Sequence, residues 1–171
     1  MSFSTELSHK TREAVGRILN LQLADEYMLY KLTRDYHWNV TGPDFFSLRL
    51  QFQLQHDAST GWVDDVAERI RQMQLDARIS WDDLKEAARC SAIAGLGLSA
   101  ECMLAELLRV HEDVIAQLRS DIEVCRVSLG DESTAGFLTN LMEQHENAAW
   151  MLRAQLETET LLPAQPRARV G

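Results

Sequence analysis

The chain contains the sequence YHWNVTGPDFF at residues 36–46 and the sequence DDVAERI at residues 64–70. In the first stretch, an amphipathic run ends at a histidine. A new helix then starts at Gly42-Pro43, because proline is tolerated in the first turn of a helix and not later. The second stretch places Asp64 and Glu68 one helical turn apart. The two stretches therefore predict consecutive long helices, with a histidine near their junction and an acidic pair further along.

The histidine and the acidic pair have two interpretations. One imidazole and two carboxylates suit a metal that accepts nitrogen and oxygen ligands, iron above all. The alternative is an aromatic helix junction followed by an ordinary acidic surface. At ~100° per residue, Asp64 and Glu68 fall about 100° to 140° from the apolar stripe of their own helix, so they are expected to point sideways and not into the bundle.

The length of this second helix limits which residues can share one ion. Gln53 lies in the same angular band as the acidic pair and Arg49 nearer the apolar stripe, and both are about 16–23 Å away from that pair along the helix axis, at 1.5 Å per residue. A site that uses both ends of the helix therefore needs a second, antiparallel copy, which is a two-fold interface. The sequence favours a site between subunits, if the acidic pair binds a metal.

The composition indicates a single globular domain. The chain has 171 residues, 46% of them apolar, with only 8 glycines and 3 prolines. The formal net charge of −9 argues against a nucleic-acid module. No apolar run approaches the ~18 residues of a membrane span, the start lacks the basic residues of a signal peptide, and Cys90, Cys102 and Cys125 have no metal-site spacing. We therefore expect a cytoplasmic protein without a membrane segment.

Helical periodicity runs through the chain. It predicts long helices over residues 4–38 and about 43–74, a short helix from a Ser80 cap to about Ala88, a third long helix from Ser99 after a break at 95–97, and a fourth after Gly130. This is an all-α four-helix bundle with an extra short helix between the second and third long helices. His111 and His145 fall on apolar stripes and are predicted to be core histidines. Residues 1–162 form the predicted domain, and residues 163–171 a short flexible tail.

These motifs resemble the Dps-like miniferritins, ferritin relatives named for DNA protection in starved cells. The resemblance covers nearly the whole chain and is densest at residues 24–30 (ADEYMLY), 36–43, 64–70 and 150–154 (WMLRA). It implies a ferritin-like fold and a hollow homododecamer with ferroxidase centres at two-fold interfaces. It also implies an oxidoreductase that oxidises Fe(II) with peroxide or dioxygen, stores ferric iron and protects the cell from peroxide and iron damage.

The site residues implied by the resemblance are only partly present. His37 matches the first histidine of the family site, and Asp64 and Glu68 match the carboxylates contributed by the two-fold mate, for iron or for zinc in the same site. Arg49 replaces the second histidine and Gln53 the acidic residue one turn later. Arginine cannot ligate a cation, and its charge opposes metal binding. The expectation is a modified ferroxidase; the alternative is a shell or nucleoid-associated protein with a decayed centre.

Four further polar residues each have two interpretations. Asp57 and His56 lie near the site in angle and are candidates to compensate for the lost ligands, or are simply solvated or interface residues. Asp131 and Glu132 match the acidic zone that lines three-fold pores in the family. They also suit the first turn of a helix, where acids interact favourably with the helix dipole.

The chain ends carry little positive charge for DNA. Residues 1–11 contain one lysine and one glutamate, and the tail from Pro163 contains only Arg167 and Arg169. Twelve copies at −9 each would give a shell of about −108, which repels phosphate. We expect weak or no DNA binding at physiological salt.

Overall fold

The structure, a computed structural model, describes residues 7–91 and 97–161, with side chains up to residue 157. Every regular element in these residues is helical. In chain order they are α1 (His9–Asn39), α2 (Phe45–Gln72), α3 (Trp81–Ala87), α4 (Ala100–Glu123) with a π-helical turn at Val124–Ser128, and α5 (Glu132–Leu161). The prediction of four long helices with a short one between the second and third is confirmed.

Serine side chains cap three of these helices at their amino ends. Ser8 accepts a hydrogen bond from the Thr11 amide at 3.1 Å, so α1 begins at His9 and not at residue 4 as predicted. Residues 1–6 lie outside the described part of the chain. Ser80 and Ser99 cap α3 and α4 in the same way, which confirms both predicted starts. Each such cap satisfies one amide that the helix itself leaves unpaired.

The turn between α1 and α2 depends on Gly42. Its φ of +119° is a backbone conformation that side-chain-bearing residues rarely adopt. The Phe45 amide donates to the Gly42 carbonyl at 3.2 Å, and α2 starts at Phe45, two residues after the predicted start. This tight connection lays α2 back along α1. It thereby brings the end of α1, with His37, beside the first turns of α2.

The core lies between two helix pairs, α1 with α2 and α4 with α5, while α3 packs on α1. The predicted stripe of α2 is buried at Leu48, Phe52, Val63, Val66 and Ile70, and Phe45 is half-buried. Each large apolar side chain buried in this way contributes about 1.5–3 kcal/mol relative to an exposed one. His111 and His145 are also buried, as predicted. The stripe fixes which side of α2 faces outward.

Arg89, just after α3, joins three parts of the fold. Its Nε donates to Asp25 of α1 at 2.8 Å, its Nη1 to Asp121 of α4 at 2.7 Å, and its Nη2 to Gln22 at 3.0 Å. Its main-chain amide also donates to Asp25, at 2.7 Å. The side chain of Asp25 is fully buried, so these bonds compensate a carboxylate that water does not reach. Arg89 therefore fastens the segment after α3 to the bundle.

The structure bears on only some of the remaining sequence predictions. The tail at residues 163–171 lies outside the described residues, as does most of the break at 95–97, of which Gly97 is seen in a turn. Cys90, Cys102 and Cys125 are unpaired, and burial raises the pKa of the Cys125 thiol to about 11. In the described part of the chain, no helix combines the length and apolarity needed to cross a membrane.

Candidate metal centre

Asp64 and Glu68 are exposed on the outer side of α2. They lie one turn apart, about 6 Å along the helix axis. Within the described residues neither carboxylate makes a side-chain hydrogen bond or ion pair. The helical geometry correctly predicted that they point away from the bundle interior. Two adjacent carboxylates without partners retain their lone pairs for a cation.

The segment that carries the two carboxylates is held rigidly against α5. Trp62 donates from its indole nitrogen to Gln144 at 2.7 Å. Arg69 donates to the Thr134 hydroxyl at 2.8 Å. One contact precedes Asp64 and the other follows Glu68 in sequence. The backbone between them therefore has little freedom, as a preorganised ligand pair requires.

His37 is oriented as a metal-binding imidazole would be. It lies near the end of α1, 9% exposed. Its Nδ1 lies 3.1 Å from the main-chain carbonyl of Arg49, and because a carbonyl only accepts, Nδ1 carries the proton. The Nε2 atom then has the free lone pair. A backbone carbonyl that fixes the tautomer in this way is a common partner of metal-ligating histidines.

Arg49 occupies that lone pair in the single chain. Its Nη2 donates to His37 Nε2 at 3.3 Å, and its guanidinium lies 5.9 Å from the ring centre of Phe45. Arginine stays protonated, so this contact cannot become a metal ligand. An ion pair from Arg49 to Asp64 or Glu68 of a partner subunit would occupy the place of the metal and favour a decayed centre. Within one chain, Arg49 binds His37 instead.

Gln53 and Asp57 bind each other and a second arginine. Gln53 Nε2 donates to Asp57 Oδ1 at 2.6 Å, and Gln53 Oε1 accepts from Arg34 Nη1 at 3.2 Å. The Arg34 guanidinium also lies 5.1 Å from the ring centre of Trp38. Sequence analysis missed Arg34, although its position three residues before His37 places both side chains on one face of α1. Asp57, a candidate to compensate for the lost ligands, therefore already accepts a hydrogen bond from the Gln53 side chain.

His56 points away from this group. It is buried against α1, with its ring centre 4.5 Å from that of Tyr30. Its Nδ1 lies 3.2 Å from the Tyr30 carbonyl, to which it donates. Asp57, the next residue, is exposed. The structure thus places His56 in an α1–α2 packing contact and not beside Asp57.

His37 and the acidic pair cannot meet within one chain. His37 contacts Arg49, and Asp64 lies 15 residues further along α2. At 1.5 Å per residue this is about 22 Å, far beyond the span of one coordination shell. Among residues 7–91 and 97–157, no three His, Cys, Asp or Glu side chains are arranged to hold a metal ion. One chain therefore carries two separated halves of a ligand set.

The candidate pore acids have different roles in the single chain. Asp131 is buried and caps α5, accepting from the Thr134 amide at 2.9 Å. Its carboxylate also lies 3.8 Å from the Arg69 guanidinium. Glu132 is exposed and lies 3.2 Å from Arg126. The helix-start interpretation therefore describes Asp131, and of the two only Glu132 lies at the surface.

Comparison with known proteins places this architecture in a family. Residues 17–162 match the ferritin-like domain model. A low temperature-induced protein of Nostoc is 37% identical over 157 residues, covering 92% of this chain and 88% of the relative. DNA protection during starvation protein 2 of Bacillus anthracis is 33% identical over 144 residues, covering 83% and 96%. The chain therefore belongs to the ferritin-like family, and within it to the Dps-like miniferritins.

A solved structure supports the same assignment. The Dps protein of Vibrio cholerae superposes with a TM-score of 0.83 at 25% identity, covering 91% of this chain and 98% of that one. That protein is described as a member of a broad superfamily of ferritin-like diiron-carboxylate proteins. The similarity therefore extends over most of the helical bundle.

Proposed function

We propose that the protein is an iron-oxidising, iron-storing cage whose metal site is shared between two subunits. His37 of one chain and Asp64 and Glu68 of the partner subunit would supply one nitrogen and two carboxylates. The observation that carries this proposal is the separation of the two half-sites. His37 has a fixed tautomer whose Nε2 lone pair is engaged only by Arg49, the carboxylates have no described partner, and about 22 Å of helix keeps them apart within one chain.

The chemistry of these ligands suits Fe(II) oxidation. Each Fe(II) bound there loses one electron, and peroxide accepts two; dioxygen is the alternative oxidant. Carboxylates stabilise the higher charge of Fe(III), which then hydrolyses, releases protons and enters a ferric mineral. The imidazole and carboxylates also suit zinc as a competing ion at the same position. Consuming iron and peroxide together removes both ingredients of hydroxyl-radical formation.

Arg49 makes this a modified centre. Its guanidinium must leave His37 Nε2 before a cation can bind there, because the two compete for one lone pair. Gln53 offers a single neutral oxygen, which in the chain accepts from Arg34. We therefore propose one good iron position per site and slower oxidation than in a centre with a full ligand set. The same Arg49 contact favours the second candidate, a shell or nucleoid-associated protein with a decayed centre.

Anomalous diffraction distinguishes the two candidates. Crystals of the assembled protein would be soaked anaerobically in Fe(II), and separately in Zn(II). We expect two symmetry-related peaks at each two-fold interface, one for each His37 and about 2.0–2.2 Å from its Nε2, with the Arg49 guanidinium displaced. Interfaces without a peak, in which Arg49 still donates to His37, would establish the decayed centre instead.

We predict that the chain assembles into a dodecamer. Phe46, Leu50 and Leu54 form an i, i+4, i+8 row on α2 and are 85%, 60% and 61% exposed. Trp38 near the end of α1 is also 66% exposed. Such a patch on an isolated bundle indicates an interaction surface. Twelve chains of 19.4 kDa give about 230 kDa. Light scattering at neutral pH and micromolar concentration measures this mass, and a monomer or an isolated dimer would contradict the prediction.

We also propose that this cage binds DNA weakly or not at all. The net charge of −9 per chain repels phosphate, and weak electrostatic contacts are screened at physiological salt. We propose further that the protein is cytoplasmic. We also propose that it consists of one domain, residues 1–162, followed by a tail, residues 163–171. In the proposed cage, cations enter through a three-fold pore lined by Glu132 of three subunits.

A further inference from the structure

The centre of the bundle contains a polar chain to which every long helix contributes one side chain. Glu26 of α1 contacts His145 of α5, with 3.0 Å from Oε1 to Nε2. His145 contacts His111 of α4, with 3.0 Å between their Nδ1 atoms. His111 Nε2 then contacts Gln55 Oε1 of α2 at 3.2 Å. All four residues are at least 94% buried. We refer to these four residues as the core polar chain.

The hydrogen-bond partners fix the protons of His111. The Gln55 carbonyl oxygen only accepts, so His111 Nε2 carries a proton. Burial and the neighbouring His145 lower the pKa of His111 well below its usual value, so this imidazole is neutral. Its Nδ1 is therefore an acceptor, and the proton between the two Nδ1 atoms belongs to His145.

The other end of the core polar chain shares one more proton. A hydrogen bond between His145 Nε2 and Glu26 Oε1 requires a single proton between them, and the pair is neutral overall whichever atom holds it. Gln22 donates to the same Glu26 oxygen at 2.6 Å. All four ring nitrogens of the two histidines are thus engaged. Glu26 Oε2 is buried without a hydrogen-bond partner, so this oxygen has room for a proton, whereas a further proton on either imidazole ring, with the others in place, displaces one of these contacts.

Few other charged groups face the core polar chain. From α1, Gln22 connects Glu26 to the Arg89 cluster, in which the guanidinium is neutralised by Asp25 and Asp121. From α2, the neighbours are Gln55 and Trp62, both uncharged; the Trp62 ring centre lies 4.4 Å from that of His145 and 6.1 Å from that of His111. From α4 and α5, the facing titratable groups are the two histidines themselves.

We propose that the core polar chain is an acid-sensitive latch between α4 and α5. A second proton on His111 turns its Nδ1 from an acceptor into a donor. Two donors then face each other at 3.0 Å beside the buried imidazolium of His111, and the contact breaks. Trp62 packs against both rings and lies two residues before Asp64, so opening at this level loosens the part of α2 that carries the acidic pair. The latch does not depend on metal binding.

The direction of the pH effect follows from the neutral state of His111. The unfolded chain takes up a proton on this residue near pH 6.5, whereas the folded chain does not. The contribution of His111 to stability is therefore constant above about pH 6.5 and falls as the pH drops below it. Each pH unit below that value lowers the folding equilibrium constant up to about tenfold, or about 1.36 kcal/mol.

The first test compares the pH dependence of thermal unfolding among full-length variants at equal protein concentration. Circular dichroism between pH 7.5 and 5.0 would be measured for the parent, His111→Gln and His9→Gln. His9 is an exposed histidine on α1 and serves as the matched control. Below pH 6.5 we expect the parent and His9→Gln to lose about 2–4 °C per pH unit more than His111→Gln. Parallel slopes for the parent and His111→Gln would overturn the latch.

A second measurement needs no substitution, so it remains decisive if His111→Gln fails to fold. Hydrogen exchange of the parent at pH 7.0 and 5.5, corrected for the intrinsic pH dependence of exchange, reports opening along the chain. We expect α4 around residue 111 and α5 around residue 145 to lose protection before the first half of α1. Equal protection at both pH values, or uniform loss over all helices, would contradict an opening centred on the two histidines.

Discussion

Glu68→Ala is expected to reduce peroxide-driven Fe(II) oxidation to the rate of iron in buffer, a loss of at least about tenfold. Glu68 is one of the two carboxylates without a described partner on the outer side of α2. In the proposed site only the Asp64 carboxylate would remain, because Arg49 and Gln53 stand in place of better ligands. Ferric absorbance at equal protein concentration, after addition of peroxide, measures the initial rate.

Asp65→Ala is the matched control for this experiment. Asp65 is an exposed carboxylate in the same turn of α2, but it is not in the ligand set. Its removal makes the surface less negative by the same one unit of charge, so a rate near that of the parent is expected. If Glu68→Ala oxidises iron as fast as Asp65→Ala, the chemistry does not take place at the two-fold site.

Arg49→His is expected to accelerate oxidation and strengthen metal binding by roughly 10- to 100-fold, the range typical of changes in groups that contact a metal ligand. The substitution removes a guanidinium that donates to His37 Nε2 and introduces an imidazole at the same position. It therefore frees one ligand and adds another. Initial oxidation rates and anaerobic Fe(II) titration measure the two effects separately.

Arg49→Ala separates the removal of charge from the gain of a ligand. It frees His37 without adding an imidazole, so an intermediate rate is expected. Arg71→His, at an exposed arginine of α2 whose guanidinium pairs with Asp76, controls for the change of surface charge. Equal rates for the parent, Arg49→His and Arg49→Ala would show that the Arg49–His37 contact does not limit metal binding in the assembled protein.

Local signals predicted the fold well, with errors where two signals compete or none exists. Ser80, Ser99 and Gly42-Pro43 mark helix ends through capping and backbone restrictions that act within a few residues. The start of α1 was placed too early because the prediction rested on helical periodicity alone and did not use Ser8 as the capping residue. The π-helical turn at Val124–Ser128 was missed, since it depends on how α4 meets the following segment.

The sequence predicted the direction in which the candidate ligands point but not the contacts that they make. The 100° period of a helix is enough to point Asp64 and Glu68 sideways. The bond from Arg49 to His37 depends on how closely the hairpin brings α2 against α1 and on the rotamer of a long side chain. His111 and His145 were identified from their stripes. Their connection to Glu26 was not, because Glu26 lies 119 residues before His145 and no local pattern joins them.

The Arg89 anchor has a consequence for the order in which the chain folds during synthesis. The described hydrogen bonds to the Asp25 carboxylate come from residues 89 and 90, which emerge from the ribosome 64 and 65 residues later. Until then, the Asp25 carboxylate lacks these three donors, and the segment after α3 is not yet fastened to α1. The surroundings of Asp25 can therefore be completed only after residues 89 and 90 have been synthesised.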